Sequence, residues 1–378
     1  MKTVRFVGLD VHAQTIAVAV AEPDGEVRSV GVIPNHSAAV SKLMKRLGKP
    51  AQLRVCYEAG PTGYVLYWQL TKLDIKCEVV APTLIPMKAG DRVKTDRRDA
   101  ERLARSYRSG DLTAVWVPDA AHEALRDLVR AREAAKRDQL RARHRLAKFL
   151  LRQGRRAPQG LTAWSCRYLQ WVKQQHFEQP AQQATLVDYL HEVEHMACRI
   201  EQLEQSIDSV IADAPAKMRA VVDALQALRG LAKISAVSVV AELGEISRFA
   251  HPRQLMGYSG AVPREHSSGA HVQRGSISKT GNAHLRRIVI EAAWAYRHRP
   301  GMGTALAARQ RLTNEAVRQI AWKAQHRLHQ RYRLLMGKGK AKQKVITAVG
   351  RELLGFIWAI GVQVERSCEE ATPMRCAA

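Results

Sequence analysis

Two aspartates lie three residues apart inside a strongly basic segment, KTDRRDAERLARSYRSG, which covers residues 94–110. On a helix, positions i and i+3 share one face, with Cβ atoms about 5–6 Å apart. Asp96 and Asp99 are therefore either local counter-charges or ligands that hold a cation. In the first case Asp96 caps the helix and Asp99 is an exposed surface acid. In the second case the neighbouring bases would hold nucleic-acid phosphates, the nearest bases being Lys94, Arg97 and Arg98.

Two further carboxylates fall where predicted strands end. Asp10 closes the strand TVRFVGLD, and Glu58 closes LRVCYE directly before a turn rich in glycine and proline. Four acids meeting at one edge of a sheet would repel one another, and divalent cations relieve that repulsion. Mg²⁺ prefers hard oxygen ligands, and two ions about 3.5–4 Å apart can clamp both reacting oxygens of a phosphodiester. The residues therefore predict a Mg²⁺ site at Asp10, Glu58, Asp96 and Asp99.

The elements that must position these acids follow from local patterning. Alternation predicts three successive strands over 3–10, 16–22 and 26–33, followed by a helix that Asn35 caps. The remaining predicted elements are a strand at 53–58, a helix at 63–73, a strand at 76–82 and a helix from Asp96 to about Arg108. This order is that of the ribonuclease H-like fold, although other α/β layers could produce it.

The middle of the chain predicts long helices. Residues 119–152 form one helix whose face carries mostly arginine and lysine, and like charges four residues apart destabilise a helix. A phosphate backbone would relieve that repulsion without reading sequence. Apolar residues at heptad spacing from Leu186 to Val210 predict a coiled coil, whose partner is either the 119–152 helix or a second subunit. Aromatic residues within 164–177 could stack on unpaired bases, but their helical spacing favours a core role.

The last third contains a glycine-rich basic loop with two adjacent serines. Residues 228–249 predict a helical hairpin with Gly230 in its turn, and a helix begins near Asn282. Between them, the segment GYSGAVPREHSSGAHVQRGSISKTGN places Ser267 and Ser268 among basic residues. An activated hydroxyl there could attack a phosphodiester, although a serine in a loop is usually just a loop residue.

Charge and cysteine content narrow the class of protein. The 378 residues include 60 Lys+Arg against 35 Asp+Glu, a formal net charge of +25, which favours nucleic acid over an acidic membrane as the partner. The candidate nucleic-acid contacts are Lys94, Arg97, Arg98, Arg130, Arg137, Arg141, Arg264, Arg274, Lys279, Arg286 and Arg287. Six cysteines without a C-x-x-C pair predict free thiols in a reducing compartment. We find no signal peptide and no apolar run of about 18 residues, so we expect a cytoplasmic protein.

Five motifs in chain order resemble a known family. GLD with Asp10, YEAGPTGY with Glu58, KTDRRDA with Asp96 and Asp99, GYSGAVPREHSSG and RGSISKTGNAHLRR are similar to motifs of the insertion-sequence one-ten family of transposases. These enzymes are also called DEDD or bridge-RNA-guided recombinases. The resemblance spans about residues 5 to 360. KTDRRDA and SKTGNAHLRR are its more specific motifs, whereas the strand motifs are common.

The resemblance implies a fold class and a domain order. The fold class is α/β plus α, with a RuvC-like (ribonuclease H-like) DEDD domain at 1–118 and a basic long helix with a coiled-coil dimerisation region at 119–220. A mainly helical C-terminal transposase domain with the serine loop would cover 221–362. From the terminal residues themselves, CEEATPMRCAA, we expect a disordered tail at 363–378. The four acids would bind Mg²⁺, and the catalytic serine corresponds best to Ser268, with Ser267 one residue away.

The resemblance also implies an activity and its partners. Such enzymes excise and insert DNA through a covalent phosphoserine link. A structured non-coding guide RNA pairs with donor and target DNA, and the enzyme acts as a dimer or a dimer of dimers in the bacterial cytoplasm, at the nucleoid. Two alternatives stay open from the residues: a RuvC-like metal-dependent nuclease or junction resolvase without a covalent intermediate, and a non-catalytic RNA- or DNA-binding protein.

Overall fold

The computed structural model of the chain describes residues 4–87, 90, 94–269 and 271–370. The chain divides into two compact units, Met1–Pro118 and Asp119–Ala378. We refer to them as the first unit and the second unit. Within the described residues the first unit is mixed α/β and the second is mainly helical, as the sequence predicted.

A five-stranded mixed sheet forms the centre of the first unit. Its strands are β1 (Arg5–Val11), β2 (Thr15–Ala21), β3 (Val27–Pro34), β4 (Leu53–Glu58) and β5 (Lys76–Val80), in the spatial order β3-β2-β1-β4-β5. β1, β2 and β3 pair antiparallel as a meander, whereas β4 and β5 run parallel to β1. Every strand predicted from alternation is present, with ends that differ by at most two residues.

Three helices cover the two faces of this sheet. They are α1 (Ser37–Leu47), α2 (Val65–Lys72) and α3 (Asp96–Ser109). In β2 the large residues Ile16, Val18 and Val20 pack with α1 and α2, whereas alternate alanines pack against α3. One predicted detail is wrong: the N-cap of α1 is His36, whose Nδ1 accepts from the backbone of Ala39 at 3.1 Å. Asn35 instead donates to the carbonyl of His12 at 2.7 Å.

The second unit consists of helices and one short hairpin. Its helices are α4 (Ala120–Arg152), α5 (Cys166–Lys173), α6 (Pro180–Ala212), α7 (Ala216–Leu225), α8 (Lys233–Leu243), α9 (Pro252–Tyr258), α10 (Ala283–Ala293), α11 (Thr304–Arg311), α12 (Glu315–Gly337) and α13 (Lys342–Glu370). Strands β6 (Pro263–Glu265) and β7 (Arg274–Ile277) pair antiparallel between α9 and α10.

The heptad helix α6 finds its partner within the same chain. Ion pairs join Arg145 to Glu192, Asp138 to Arg199, and Arg132 to Glu204. Positions therefore rise along α6 as they fall along α4, so the two helices are antiparallel. Val210, predicted for the apolar seam, is 42% exposed, and Ile211 is buried in its place. A straight helix with 3.6 residues per turn drifts away from a strict seven-residue repeat.

Aromatic residues near α5 belong to a core, as the sequence favoured. Tyr168 and Phe177 are buried with residues of α4 and α6, and Trp164 and Trp171 are partly buried against the same cluster. The rings of Phe149 and Phe177 meet edge to face, with centroids 5.4 Å apart. These side chains pack the C-terminal end of α4 against the N-terminal end of α6.

The last helix corrects the expected start of the disordered tail. The expected disordered tail began at residue 363, but α13 continues to Glu370, and Val364 and Glu365 are buried. The expected tail residues 371–378 lie outside the described residues. By length and composition α13 could also cross a membrane, yet 56% of its most apolar window is buried inside the protein. It serves as the central core helix of the second unit, which is why so apolar a helix occurs there.

Candidate functional site

Three ligand-type side chains meet at the carboxyl end of β1. Asp10 and Asp96 each contribute a carboxylate oxygen and His12 contributes a ring nitrogen. These three atoms lie within 4.8 Å of one another. The Nε2 atom of His12 lies 3.3 Å from a carboxylate oxygen of Asp10 and 3.5 Å from one of Asp96. Asp10 is half-buried, whereas His12 and Asp96 are exposed. The cluster therefore opens to solvent.

Residues without bulky side chains bring α3 onto the sheet at this point. A Cβ atom placed on Gly8 would lie 2.4 Å from the backbone oxygen of Ala100 and 2.4 Å from the backbone nitrogen of Ala104. Only glycine permits so close an approach. Since Gly8 is two residues before Asp10 and Ala100 is four residues after Asp96, this contact sets the distance between the two aspartates.

The first turn of α3 holds its two aspartates in different environments. Thr95 is the N-cap, and its hydroxyl accepts from the backbone nitrogen of Arg98 at 3.3 Å. Asp96 is therefore not the cap. Asp99 is 7% exposed and pairs with Arg102, so it is not a surface acid. The cap role of Asp96 and the surface position of Asp99 are therefore wrong, although Asp99 does act as a counter-charge to Arg102.

The charge of Asp10 is disfavoured where it stands. Burial raises the pKa of its carboxyl group, the His12 imidazole lowers it, and the carboxylates of Asp99 and then Asp96 raise it. The net shift is upward. Asp99 therefore lies close enough to Asp10 to act on it electrostatically, although it is not one of the three clustered ligands.

Glu58 lies on the neighbouring strand but outside the cluster. β1 and β4 pair in parallel with Leu9 opposite Tyr57, so the same register places Asp10 beside Glu58 on one face of the sheet. The Glu58 side chain is exposed. The structure thus brings together Asp10 and Asp96 of the four predicted acids, with Asp99 near, and leaves Glu58 at the rim.

His12 is the site residue that sequence reasoning missed. It follows Asp10 by two residues in GLDVH, and residues i and i+2 of an extended chain point to the same side. That spacing was the available signal. The Asn35 amide, which donates to the His12 carbonyl, fixes this stretch of backbone after β1.

The donor set fits a divalent cation. Two carboxylates supply hard oxygen ligands, and the imidazole is a common metal ligand. Burial, and then the carboxylates of Asp99 and Asp96, raise the pKa of Asp10, so a cation would favour its ionised form. Asp10 and Asp96 would hold the ion, with His12 beside them and Asp99 and Glu58 within the surrounding shell.

The bases near the cluster are exposed. Lys94 and Arg97 lie on the surface beside the start of α3. Arg97 also pairs with Glu101 one turn further along the helix, at 2.9 Å. Arg98 is exposed as well, and its backbone nitrogen donates to the N-cap.

The two serines lie at the tip of the β6–β7 hairpin. Backbone groups of Ser268 and His271 exchange two hydrogen bonds of 3.1 Å, which close the tip. The Ser267 hydroxyl donates to Glu265 at 2.9 Å, and Arg274 donates to the other oxygen of the same carboxylate at 3.2 Å. Both serines are exposed. The hydroxyl of Ser267 is thus engaged within the hairpin.

Close backbone contacts fix the base of this hairpin. A Cβ on Gly260 would lie 2.3 Å from the carbonyl oxygen of Thr280, and one on Gly281 would lie 2.2 Å from that of Tyr258. Both glycines also have positive φ. Asn282 caps α10, and its amide donates to Glu242 at 2.7 Å. The segment expected to be a glycine-rich loop is a hairpin anchored at both ends.

A buried carboxylate joins this base to α4. Glu242 is 1% exposed and accepts two hydrogen bonds from Arg130, at 2.8 and 2.9 Å. Burial tends to raise its pKa, but Arg130 and Asn282 outweigh burial and hold that pKa below its usual value. Arg130, predicted to contact nucleic acid, thus pairs with a carboxylate of its own chain.

Other predicted nucleic-acid contacts also have intramolecular partners. Arg137 and Arg287 pair with Glu133, and Arg141 pairs with Asp138. Arg286 donates to the carbonyl of Ser259 at 2.7 Å. Arg264 and Lys279 are exposed on the hairpin. The excess charge on α4 is therefore met in part by acids from α6, α8 and α4 itself.

The hydrogen bonds of Glu133 should make the stability of the second unit depend on pH. Burial tends to raise its pKa, but hydrogen bonds from Arg287, His284 and Arg137 lower it to about 2. A carboxyl group with a depressed folded-state pKa stabilises the fold above its unfolded pKa, and that stabilisation is lost as the pH falls toward 2. We expect Glu133→Gln to cost about 1–3 kcal/mol at pH 7, and we expect this deficit to shrink below about pH 4.

Chemical denaturation of both proteins between pH 7 and pH 3 measures this difference. Glu291→Gln is the matched control, since Glu291 pairs with Arg287 on an exposed surface, where such pairs contribute little. A deficit that stays constant with pH would show that the Glu133 carboxylate does not stabilise the fold through its charge.

Residues 222–309 match the family described as "Transposase IS116/IS110/IS902 family", and residues 7–153 match a DEDD family described as "Transposase". A putative transposase, y4qE, of Sinorhizobium fredii (strain NBRC 101917 / NGR234) is 45% identical over 96% of this chain and 90% of its own length. The transposase for insertion sequence element IS1533 of Leptospira borgpetersenii is 31% identical over 90% of this chain and 99% of its own length.

Fold, acidic cluster and relatives together define an enzyme that acts on DNA, a transposase. Within that class, the chain belongs to the IS110 family of transposases, so the resemblance stated from the motifs is confirmed. Enzymes of the DEDD type are generally metal-dependent, and the cluster of Asp10, His12 and Asp96 is a possible acidic metal site.

Proposed function

We propose that this transposase cleaves and exchanges DNA strands under the guidance of a structured RNA, with Ser268 as nucleophile and Mg²⁺ at a RuvC-like site. The observation that carries the proposal is the meeting of Asp10 and Asp96, with Asp99 near, at the end of β1. The strand order with β1 at its centre supports a ribonuclease H-like fold.

The chain's residues have separate tasks in this proposal. Asp10 and Asp96 hold the ion, and Asp99 and Glu58 keep the site negative. When bound, Mg²⁺ would supply positive charge to offset charge that develops on the phosphodiester. Lys94, Arg97 and Arg98 would bind phosphates beside this site.

The proposed serine chemistry exchanges one P–O ester bond for another. The Ser268 Oγ forms a bond to phosphorus, one P–O bond to a deoxyribose oxygen breaks, and the serine proton passes to a base while the departing oxygen gains a proton. Ser268 is proposed because it corresponds best to the catalytic serine of the family, while the hydroxyl of the adjacent Ser267 donates to the Glu265 carboxylate. Resealing in a new partner reverses these bonds, so the phosphodiester energy is conserved.

The partners follow from the same proposal. Donor DNA, target DNA and a structured non-coding RNA would bind the exposed bases, among them Arg264, Arg274 and Lys279. Assembly as a dimer or a dimer of dimers is proposed from the family resemblance alone, because α6 pairs with α4 of the same chain. The enzyme would act in the bacterial cytoplasm, at the nucleoid.

We expect Ser268→Ala to abolish the covalent protein–DNA adduct, because the proposed phosphoserine link forms at the Ser268 Oγ. The measurement is denaturing electrophoresis of labelled donor and target DNA incubated with enzyme and Mg²⁺. Each reaction is run with and without the RNA transcribed beside the gene, and only the reaction with RNA should give the adduct.

Ser267→Ala is the matched control and should keep most of the adduct. DNA binding by both variants should equal that of the wild type. An adduct that persists in both single variants and in the double variant would rule out the serine mechanism. An adduct formed equally without RNA would rule out RNA guidance.

The compact acidic cluster also favours a second candidate, a metal-dependent nuclease or junction resolvase that forms no covalent intermediate. That enzyme would release free nicked ends in the same assay and form no adduct with the wild-type protein. The absence of cleavage altogether would instead favour a non-catalytic nucleic-acid-binding protein.

A further inference from the structure

A groove of about 910 Å³ follows one face of α12 in the second unit. Its lining includes Trp322, His326, His329 and Arg333, at positions i, i+4, i+7 and i+11, which share one side of a helix. Arg299 and Pro300, in the loop before α11, also line the groove. The opposite side of α12 is buried in the core through Val317, Ala321, Ala324 and Leu328.

The charge of this groove is one-signed. None of its lining residues is acidic. Two carboxylates of α12 and α13 pair with arginines that do not line the groove: Glu315 with Arg318, and Glu352 with both Arg327 and Arg331. Arg299 and Arg333 therefore favour a negatively charged occupant.

An exposed indole lies among these basic side chains. Trp322 is 44% exposed, and its ring contacts that of His326 edge on, with centroids 4.6 Å apart and an interplanar angle of 71°. Trp164 and Trp171, by contrast, pack against a core. Aromatic rings set among cationic side chains bind unpaired nucleic-acid bases by stacking, while the cations contact phosphates.

We infer that this groove binds an unpaired segment of nucleic acid, with a base stacked on Trp322 and phosphates at Arg333 and Arg299. Within a duplex both faces of each internal base are covered by neighbouring pairs, so those bases cannot stack on the indole in this way. Unpaired DNA and unpaired RNA share this chemistry. The inference rests on the groove alone and needs neither the serine mechanism nor the cation.

Fluorescence anisotropy with the full chain tests this assignment. The probes are labelled oligothymidylate and oligouridylate of about 12 nucleotides and a blunt duplex of equal length. We expect Trp322→Ala to weaken single-strand binding by about 5- to 100-fold, since base–aromatic stacking is lost. Trp322→Phe should restore most of the affinity, and duplex binding should stay within about twofold.

Variants that remove a charge distinguish binding in the groove from general electrostatic attraction to nucleic acid. Arg333→Gln should weaken single-strand binding and lower its salt dependence by about one phosphate contact. Lys323→Gln is the matched control: Lys323 is exposed on the same helix but is not among the residues lining the groove, and its loss should weaken all three probes equally and slightly.

The relative loss for the thymidylate and uridylate probes shows which nucleic acid occupies the groove. Three outcomes would overturn the inference. They are an unchanged single-strand affinity in folded Trp322→Ala, an equal loss for duplex and single strand, and failure of phenylalanine to restore binding. Unfolding melts confirm that each variant is folded, which surface substitutions rarely prevent.

Discussion

Asp10→Asn will reduce strand cleavage by at least about 100-fold, a loss typical of removing one charge-stabilising group from an active site. Asparagine has nearly the same shape as aspartate, so the sheet should be unchanged. What it lacks is the negative charge that, with Asp96, would hold a divalent cation. The measurement is the rate of cleavage of labelled DNA at saturating Mg²⁺.

The same substitution, Asp10→Asn, should not lower the thermal stability of the metal-free protein. Because burial and the nearby carboxylates of Asp99 and Asp96 raise the pKa of Asp10, its ionised form is disfavoured in the folded protein at neutral pH. Without divalent cations, Asp10→Asn should therefore melt at or above the wild-type temperature. Added Mg²⁺ or Mn²⁺ should stabilise the wild type and leave the variant unchanged.

A matched acid shows whether the effect is local. Asp24 is exposed in the turn between β2 and β3, and Asp24→Asn should keep both cleavage and the metal-dependent shift. If Asp10→Asn retains the shift in full, the cation does not bind at the end of β1, and the metal site must be sought elsewhere. The binding readout keeps this conclusion independent of whether cleavage can be reconstituted.

Gly8→Ala will destabilise the first unit by about 3 kcal/mol or more, the upper range for overpacked sites. The new methyl group would lie 2.4 Å from backbone atoms of both Ala100 and Ala104. Backbone atoms cannot rotate away as a flexible side chain can, so α3 must shift off the sheet. A displaced α3 moves Asp96 away from Asp10, and the metal-dependent stabilisation should fall with it.

Thermal unfolding of the first unit, with and without Mg²⁺, measures both consequences. A loss of this size corresponds to roughly 10 °C in a domain of this length. Gly60→Ala is the control, since its Cβ would make only an ordinary contact at 3.8 Å. Wild-type melting of Gly8→Ala would show that α3 does not press on β1 at this residue.

Much of the fold could be predicted from the sequence, because alternation and helical periodicity report local burial. The five strands of the first unit and the helix beginning at Asp96 follow from such patterns. Motifs in chain order also sufficed to identify the family. Asp10 and Glu58 were recognised because a strand ends at each, which is a local property.

Contacts between distant residues could not be predicted in this way. Arg130, Arg137 and Arg287 appeared to be available for phosphate, yet Glu242 and Glu133 pair with them. Periodicity shows that a face is charged but not which acid from another helix will meet it. The same limit left the partner of α6 open, until its ion pairs with α4 showed an antiparallel neighbour.

The sequence by itself thus determined the elements, the family and the set of candidate acids, since each depends on residues that are neighbours along the chain. Only the tertiary structure decided that His12 joins Asp10 and Asp96, that Asp99 is buried and that Glu58 stays at the rim. The physical reason is packing distance. Gly8 lets α3 lie directly on β1, and that approach, between residues more than ninety positions apart, selects which side chains can share an ion.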